Sequence, residues 1–171
     1  WLLLASPSVD INKAKNNGVT PLSIAAQQGH AECMRLLLAS PSIDVNQANN
    51  DGNTPLLIAA QQGLAECLTL LLASPSIDVT QANIYGTTPL IAASQSSATA
   101  AALTLIADER TELDAKTSAG RSALSYASEG DNTQLVAALI ARGADIHALD
   151  HDHHTPLDDA LHRSTSCSCA C

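Results

Sequence analysis

Apolar and polar positions repeat along this chain at a fixed interval. Residues 39–56 read ASPSIDVNQANNDGNTPL, and residues 73–90 read ASPSIDVTQANIYGTTPL. Over a full unit, residues 18–51 and 52–85 agree at 26 of 34 positions, which gives a period of 34 residues. An internal period of this length predicts a stack of similar structural units rather than one thick core.

The sequence pattern of each unit predicts two short helices. Thr20 can accept hydrogen bonds from the first free N–H groups of a helix, and Pro21 fits the first helical position. Gly29 can end that helix in the left-handed conformation. The second helix is predicted over residues 31–39. Its predicted buried face consists of Cys33, Leu36, Leu37 and Leu38.

Polar loops connect these helix pairs, and Asn50-Asp51-Gly52 is a hairpin-like signal. Helices of about eight residues are too short to be stable alone, so each unit must stack on its neighbours. Only 2% of the residues are aromatic and Phe is absent. This composition favours thin helical layers of Leu, Ala, Ile and Val over a thick centre.

The unit resembles one known family. GVTPLSIAAQQGHAECMRLLLASPSIDVN is similar to the ankyrin repeat, with its T-P-L-H-x-A-A-x-x-G-H core and closing G-A-D-V-N. The resemblance covers residues 1–163 and implies a mainly α, ankyrin-repeat solenoid of stacked helix pairs joined by β-hairpin-like loops. Residues 164–171 form a Ser- and Cys-rich tail. The implied units are a partial repeat at 1–17, repeats at 18–51, 52–85, 86–119 and 120–152, and a partial repeat at 153–163.

The chain departs from the ankyrin pattern in several places. The family's fourth-position histidine is replaced throughout, which predicts the loss of its usual hydrogen bond across repeats. The replacing residues are Ser23, Leu57, Ile91, Ser125 and Asp158. Ser96-Ser97 replaces Gln-Gly at a helix end, and Gly130 stands one place early. We therefore predict the least regular stacking around the repeats at 86–119 and 120–152.

Charge and composition narrow the classes of partner. The net charge is −9 with only eight Lys and Arg residues, whereas nucleic acid and anionic membranes require clustered cations. We therefore expect no nucleic acid and no membrane partner, and a basic or polar protein surface instead. No run approaches the roughly 18 apolar residues that span a bilayer. The cysteines form no disulfide framework, which predicts an intracellular, cytoplasmic location.

The chain lacks an initiator Met and opens in the middle of a unit. We therefore expect it to be a segment of a longer protein. The uncapped ends of such a segment predict weak self-association.

No catalytic constellation is apparent in the sequence. A phosphate-cradling Gly loop, a G-x-S-x-G elbow and an H-E-x-x-H motif are all absent. We predict that the segment is not an enzyme and binds no cofactor. A catalytic domain elsewhere in a longer protein stays an open alternative.

Histidines and aspartates cluster near the C-terminal end: His147, Asp150, His151, Asp152, His153 and His154. They could suggest a metal site. However, their spacing matches no standard zinc pattern, and residues 150–154 correspond to a polar hairpin tip, so we predict no metal. For Cys167, Cys169 and Cys171, soft-metal binding, lipidation and an unstructured end are the alternatives, of which we favour the last.

Two further pairs of residues invite a functional and a structural interpretation. Asn12 and Asn46 resemble the ankyrin asparagines that some oxygenases hydroxylate. We favour the alternative that they hydrogen-bond their own hairpin. Cys33 and Cys67 share one helix position and are predicted to be small buried hydrophobes.

Residues 39–56 and 73–90 differ only at Asn46/Thr80, Asn50/Ile84, Asp51/Tyr85 and Asn53/Thr87. Three of these four positions fall on the hairpin tip, where the ankyrin family carries its partner contacts. The resemblance therefore implies a protein–protein interaction module that binds through its concave face and hairpin tips. The implied partner-binding residues are Asn16, Asn17, Val19, Gln27, Gln28, Asn50, Asp51, Asn53, Gln61, Gln62, Ile84, Tyr85, Thr87, Gln95, Arg121, Glu129, His151, Asp152 and His154.

Ile84 and Tyr85 are distinctive among these residues, because an aromatic beside an aliphatic in a polar strip suits an interface anchor. The alternative for Tyr85 is that its ring covers the neighbouring repeat. The alternatives for the whole segment are a structural spacer and an accessory segment of a larger multidomain protein or enzyme.

Overall fold

The part of the chain that the structure describes contains nine helices. The structure is a computed structural model that describes residues 10–166, with side chains for residues 10–161. The helices are α1 (Pro21–Gln28), α2 (Ala31–Leu38), α3 (Pro55–Gln61), α4 (Ala65–Leu72), α5 (Pro89–Gln95), α6 (Thr99–Ala107), α7 (Ala123–Glu129), α8 (Thr133–Ala141) and α9 (Pro156–Ser166). No residue between 10 and 166 is in a β-strand.

The first helix of each complete pair begins at a hydroxyl cap. The side-chain oxygen of Thr20, Thr54, Thr88 or Ser122 accepts a hydrogen bond from the backbone N–H three residues later. Proline follows the cap in α1, α3 and α5. Its lack of an N–H costs nothing there, because the N–H of the first helical residue makes no bond within the helix. A cap of this kind stabilises a helix by about 1 kcal/mol. The predicted helix start is confirmed.

Three of the residues in place of the fourth-position histidine are polar, and their side chains hydrogen-bond within their own layer. The Ser23 hydroxyl lies 3.0 Å from the Thr20 hydroxyl. The Asp158 carboxylate accepts from both the N–H and the hydroxyl of Thr155, at 2.8 and 2.7 Å. These side chains support the caps of α1 and α9.

The turn between the two helices of a pair has one conformation in all four complete pairs. Its left-handed residue is Gly29, Gly63, Ser97 or Asp131, and the next residue donates its N–H to the carbonyl five positions earlier. Gly130 keeps an ordinary helical conformation. The turn is thus unaffected by the loss of glycine, because Ser97 and Asp131 adopt the conformation that glycine takes in the first two pairs. Less regular stacking around these two repeats stays a prediction.

The helix pairs stack in one row. The first helices α1, α3, α5, α7 and α9 contact one another in that order, and so do the second helices α2, α4, α6 and α8. Leu22, Leu56, Leu90 and Leu124, at equivalent positions, are at most 2% exposed. Two rows of short helices thus bury a continuous core of leucine and alanine, and the predicted mainly α solenoid is confirmed.

The buried face of α2 differs from the prediction. Met34 is its fully buried residue, whereas Cys33 is exposed and Leu36 is 41% exposed. Cys67, at the position in α4 that Cys33 has in α2, is buried. The reason is that α4 packs between α2 and α6, whereas α2 meets only α4 among the described second helices. The prediction of burial is right for Cys67 and wrong for Cys33.

The hairpin tips form a ladder along one edge of the stack. In the tip at 49–53, Asn49 N–H donates to the Asn53 carbonyl and Gly52 N–H donates to the Asn49 carbonyl. Equivalent bonds close the tips at 15–19, 83–87, 117–121 and 150–154. A further N–H joins each tip to a carbonyl of the preceding one: Asn50 to Asn17, Ile84 to Asp51, Ser118 to Tyr85, and His151 to Ala119.

Asparagine side chains also join neighbouring layers, at the loops that precede the tips. The Asn12 amide donates to the Ser42 carbonyl at 2.7 Å, and its oxygen accepts from Asp44 N–H at 2.9 Å. Asn46 makes the same two bonds to the layer after it. The interpretation that these asparagines bond their own hairpin is therefore wrong, because they bridge layers. Thr80, the next residue in this series, bonds within its own loop instead.

Apolar side chains are exposed at both ends of the described stack. Leu36 is exposed on the first pair, and Leu157 and Leu161 are 67% and 56% exposed on α9. Weak self-association through these ends stays a prediction. Within the described residues, no helix has the length and apolar character needed to cross a membrane. The predictions for the first residues of the unit at 1–17 and for the tail cysteines fall outside the described range.

Candidate partner-binding site

The hairpin tips and the C-terminal ends of the first helices form one continuous surface, which we call the tip face. Ile84 and Tyr85 are its most exposed large apolar residues, at 64% and 57%. Their backbone is bonded to both neighbouring tips: Ile84 N–H donates to the Asp51 carbonyl of the preceding tip, and the Tyr85 carbonyl accepts from Ser118 N–H of the following tip. Tyr85 N–H also donates to the Asn83 side chain at 2.9 Å. Two exposed apolar side chains thus project from a fixed backbone.

A cleft of about 330 Å³ lies beside Tyr85, and we call it the tyrosine cleft. Its lining residues come from two tips and from α3 and α5: Asn53, Leu57, Gln61, Asn83, Tyr85, Thr87, Ala92 and Gln95. The Asn83 amide donates to the Asn53 side chain at 2.9 Å. Gln61 and Gln95 are exposed, so their amides can donate to and accept from a bound chain.

A larger cleft, of about 880 Å³, lies farther along the tip face. We call it the arginine cleft; its lining residues are Ser94, Gln95, Ser97, Arg121, Tyr126, Glu129, Gly130, Asp150, Asp152, His154 and Asp159. Arg121 Nη2 lies 2.8 Å from Glu129 Oε2 and 3.3 Å from Asp159 Oδ1. The guanidinium carbon is 4.3 Å from the centre of the Tyr126 ring, which favours its positive charge.

Burial alone would lower the pKa of Arg121, but the hydrogen bond to Glu129 and the charge of Asp159 outweigh it and raise that pKa above its ordinary value. Arg121 therefore stays charged and is held by two ion pairs and by the Tyr126 ring. It thereby holds Glu129, Asp159 and the Tyr126 ring together in the arginine cleft, and it also brings a positive charge there.

Asp150 and Asp159 bring two buried carboxylates to the base of this cleft, each only 8% exposed. Asp150 Oδ1 accepts from the backbone N–H of His154 and of Asp152, both at 2.9 Å. The bond from His154 lowers the pKa of Asp150 most; burial opposes it, and the bond from Asp152 adds to it. One nitrogen or oxygen atom from each of Asp150, His154 and Asp159 lies within 4.8 Å of the others.

The structure gathers part of the predicted site around these two clefts. Asn53, Gln61, Tyr85, Thr87 and Gln95 line the tyrosine cleft, and Gln95, Arg121, Glu129, Asp152 and His154 line the arginine cleft. The remaining predicted residues line neither: Asn16, Asn17, Val19, Gln27, Gln28, Asn50, Asp51, Gln62, Ile84 and His151. Thr87 is only 7% exposed; it is the last residue of its tip and directly precedes Thr88, the cap of α5. It therefore offers little surface to a partner, and its role in binding stays a prediction.

Sequence reasoning missed Tyr126 and Asp159, which complete the arginine cleft. The two residues occupy the same position in consecutive units, where the first three units have Ile24, Ile58 and Ala92. The change from aliphatic to Tyr and then Asp at this position was the available signal. It is the same kind of change that drew attention to Ile84 and Tyr85.

Stacked helix pairs with a ladder of hairpin tips define a helical repeat protein. The family model described as Ankyrin repeats (3 copies) matches residues 1–83 and 43–117, and the model described as Ankyrin repeat matches residues 119–151. The chain therefore belongs to the ankyrin-repeat family, as the resemblance of its unit implies. Ankyrin repeats are generally protein–protein interaction modules, and the family is typically non-catalytic. The search among curated proteins found no match to this chain.

Proposed function

We propose that the tip face binds a partner protein, with Ile84 and Tyr85 as its anchor residues. The observation that carries this proposal is the exposure of both side chains, 64% and 57%, on a hydrogen-bonded tip. Large apolar side chains at the centre of an interface commonly dominate its binding energy. Because more than half of the Tyr85 surface is exposed, covering the neighbouring repeat is the less favoured role for its ring.

The fixed tip backbone lowers the entropy that binding must overcome. Ile84 and Tyr85 each make a backbone bond to an adjacent tip, so the loop is already ordered before a partner arrives. Tyrosine has only two side-chain torsions to restrict. Preorganisation of this kind raises affinity without adding contacts.

The surroundings of the anchor supply the polar rim of an interface. The exposed Gln61 and Gln95 flank Tyr85 in the tyrosine cleft. Farther along, Glu129 and Asp152 are exposed at the arginine cleft. We infer a partner that presents an apolar side chain to the anchor and a positively charged one to the arginine cleft, in keeping with the net charge of −9.

The test is a double substitution that the chain itself provides. Ile84→Asn with Tyr85→Asp installs the Asn50-Asp51 pair of the preceding tip, which has the same backbone bonds. Proteins retained by the immobilised wild-type chain but not by the double variant are candidates, and each is then purified and titrated. We expect the double variant to bind its partner about 30-fold more weakly, or about 2 kcal/mol.

Ile140→Gln is the matched control, because it removes an aliphatic side chain that is 49% exposed on α8, outside both clefts of the tip face. It should bind like the wild type. An unchanged affinity of the double variant, with an unchanged melting temperature, would move the interface away from this tip.

The structural spacer is the alternative function. A spacer requires the stacked layers but no anchor, so it predicts that no protein distinguishes the wild-type chain from the double variant. The same retention experiment therefore separates the two functions.

A further inference from the structure

Two carboxylates and an imidazole meet at the base of the arginine cleft. Asp150 and His154 come from the last hairpin tip, and Asp159 comes from α9. One nitrogen or oxygen atom of each lies within 4.8 Å of the other two. The two aspartates are each 8% exposed, so this cluster differs from the solvated acidic groups that are common on protein surfaces.

An unpaired carboxylate oxygen lies in this cluster. Asp159 Oδ1 pairs with Arg121, but the buried Oδ2 has no hydrogen-bond partner among the described residues. A buried carboxylate oxygen without a partner costs roughly 1–3 kcal/mol, and more when charged. A bound cation would remove that cost, because it would supply the missing partner directly.

Charge accounting points to the same occupant. Glu129, Asp150 and Asp159 surround one guanidinium, that of Arg121. Even with the His154 imidazole counted as a cation beside Asp150, the three carboxylates outnumber the two positive groups. Arg121 is closer to Glu129, at 2.8 Å, than to Asp159, at 3.3 Å. Arg121 pairs with Oδ1 of Asp159, so the Oδ2 atom is the one available to a second cation.

We propose, contrary to the expectation from sequence spacing, that Asp150 and His154 together with Asp159 bind one divalent transition-metal cation of the zinc class. Imidazole nitrogen with carboxylate oxygen suits zinc and its neighbours, whereas magnesium and calcium prefer oxygen ligands alone. Three protein ligands leave a coordination position open towards the cleft. This site goes beyond the proposed protein binding and does not depend on it.

The required movement is small. Ligand atoms of a tetrahedral zinc site lie about 3.4 Å apart, given bonds of about 2.1 Å. The ligand atoms must therefore approach one another by up to about 1.4 Å from separations of up to 4.8 Å. Asp150 is already oriented by two backbone N–H groups at Oδ1. Its other oxygen is the one that would contact the metal.

The experiment is a titration of the full chain with ZnCl₂, followed by calorimetry and by thermal unfolding. Cys167, Cys169 and Cys171 could bind zinc independently, so all three are changed to serine in every sample. We expect one saturable site per chain and a melting temperature that rises with zinc concentration. Absence of saturable binding in this background overturns the proposal.

Asp159→Asn and His154→Gln test the ligands, and His151→Gln is the matched control on the same hairpin tip. His151 is exposed and lies outside the three-residue cluster. We expect zinc to bind at least about 50-fold more weakly to each ligand variant and within about twofold of normal to the control. His154→Gln leaves both ion pairs of Arg121 in place, so it keeps the test decisive where Asp159→Asn fails to fold. Retention of normal zinc affinity by His154→Gln overturns the proposal.

Discussion

Residues 39–56 and 73–90 form two equivalent loops with the same backbone and different surfaces. In both, the first tip residue, Asn49 or Asn83, closes the turn through its main chain and accepts two N–H bonds on its side-chain oxygen. The side chains that follow differ. The Asn50 amide donates to the preceding tip at 3.1 Å, whereas Ile84, at the same position, is 64% exposed.

The difference separates the residues that build a layer from those that can vary on it. The glycine, the turn-closing asparagine and the backbone ladder recur in both loops. Only side chains that the stack does not need are changed at positions 84 and 85. A repeat protein can therefore acquire a new contact surface without altering its fold.

The glycines test whether the two tips share one backbone requirement. Gly52 and Gly86 have φ of 79° and 72°. A Cβ at Gly52 would lie 3.0 Å from backbone atoms of the next tip, and one at Gly86 would lie 3.1 Å from the backbone nitrogen of Ser118 in the next tip. Gly52→Ala and Gly86→Ala should each destabilise the fold by about 3 kcal/mol, from backbone strain and from the displaced neighbour. Chemical denaturation measures both losses. A loss below about 1 kcal/mol in either variant would contradict the close contact between tips.

The turn-closing asparagines should give a smaller, unequal effect. Asn83→Ala removes the acceptor for Tyr85 and Thr87 and also the donor to Asn53. Asn49→Ala removes only the two accepted bonds described at its tip. We expect a loss of about 2 kcal/mol for Asn83→Ala, and about 1 kcal/mol less for Asn49→Ala. Equal losses in denaturation would show that the Asn83–Asn53 bond is not stabilising.

The third comparison is between Asn46 and Thr80. Asn46 joins its layer to the next one, whereas Thr80, at the equivalent position, does not. Asn46 bonds to the carbonyl of Ser76 and the N–H of Asp78. Thr80→Asn should restore an equivalent bridge to the loop at 110–112 and raise the free energy of unfolding by about 1 kcal/mol. The reverse change, Asn46→Thr, is the matched control and should lower it by a similar amount. Two changes of the same sign would contradict the bridging role.

The smallest expected effect concerns acid. The Thr80 N–H, followed by its hydroxyl, lowers the pKa of Asp78 below its ordinary value, against the opposing effect of burial. A lowered folded-state pKa stabilises the fold above the unfolded pKa of about 3.9, and this stabilisation is lost as pH falls through the folded-state pKa. Thr80→Val removes the hydroxyl and should make the free energy of unfolding differ less between pH 6 and pH 3. Because Asp78 is exposed and screened by solvent, we expect this change to be less than about 0.5 kcal/mol. Denaturation at the two pH values measures this difference. A larger loss of stability between pH 6 and pH 3 in the variant than in the wild type would contradict the prediction.

The periodic features of the fold could be predicted from sequence because each unit repeats the same local chemistry. Thr20, Pro21 and Gly29 specify the first helix by capping and left-handed geometry, and the structure confirms each of them. The burial of Cys33 could not be predicted in this way. Burial depends on the neighbouring layer, and the same residue type is exposed in α2 and buried in α4.

The candidate site shows the same division. Ile84 and Tyr85 could be found because two copies of one loop differ there. The cluster of Asp150, His154 and Asp159 could not be found from linear spacing, because Asp159 lies on α9, outside the tip, and the spacing does not show that it faces Asp150 and His154. Contacts within one unit follow from sequence, whereas contacts between an unusual tip and the next helix require the structure.

The most direct test of the anchor is a titration of the purified partner against three chains: wild type, Ile84→Asn/Tyr85→Asp, and the Ile140→Gln control. We predict that the double variant binds about 30-fold more weakly while its melting temperature stays within a few degrees of the wild type. The control should match the wild type in both measurements. Equal affinity of all three chains, with equal melting temperatures, would contradict the claim that Ile84 and Tyr85 are the anchor of the tip face.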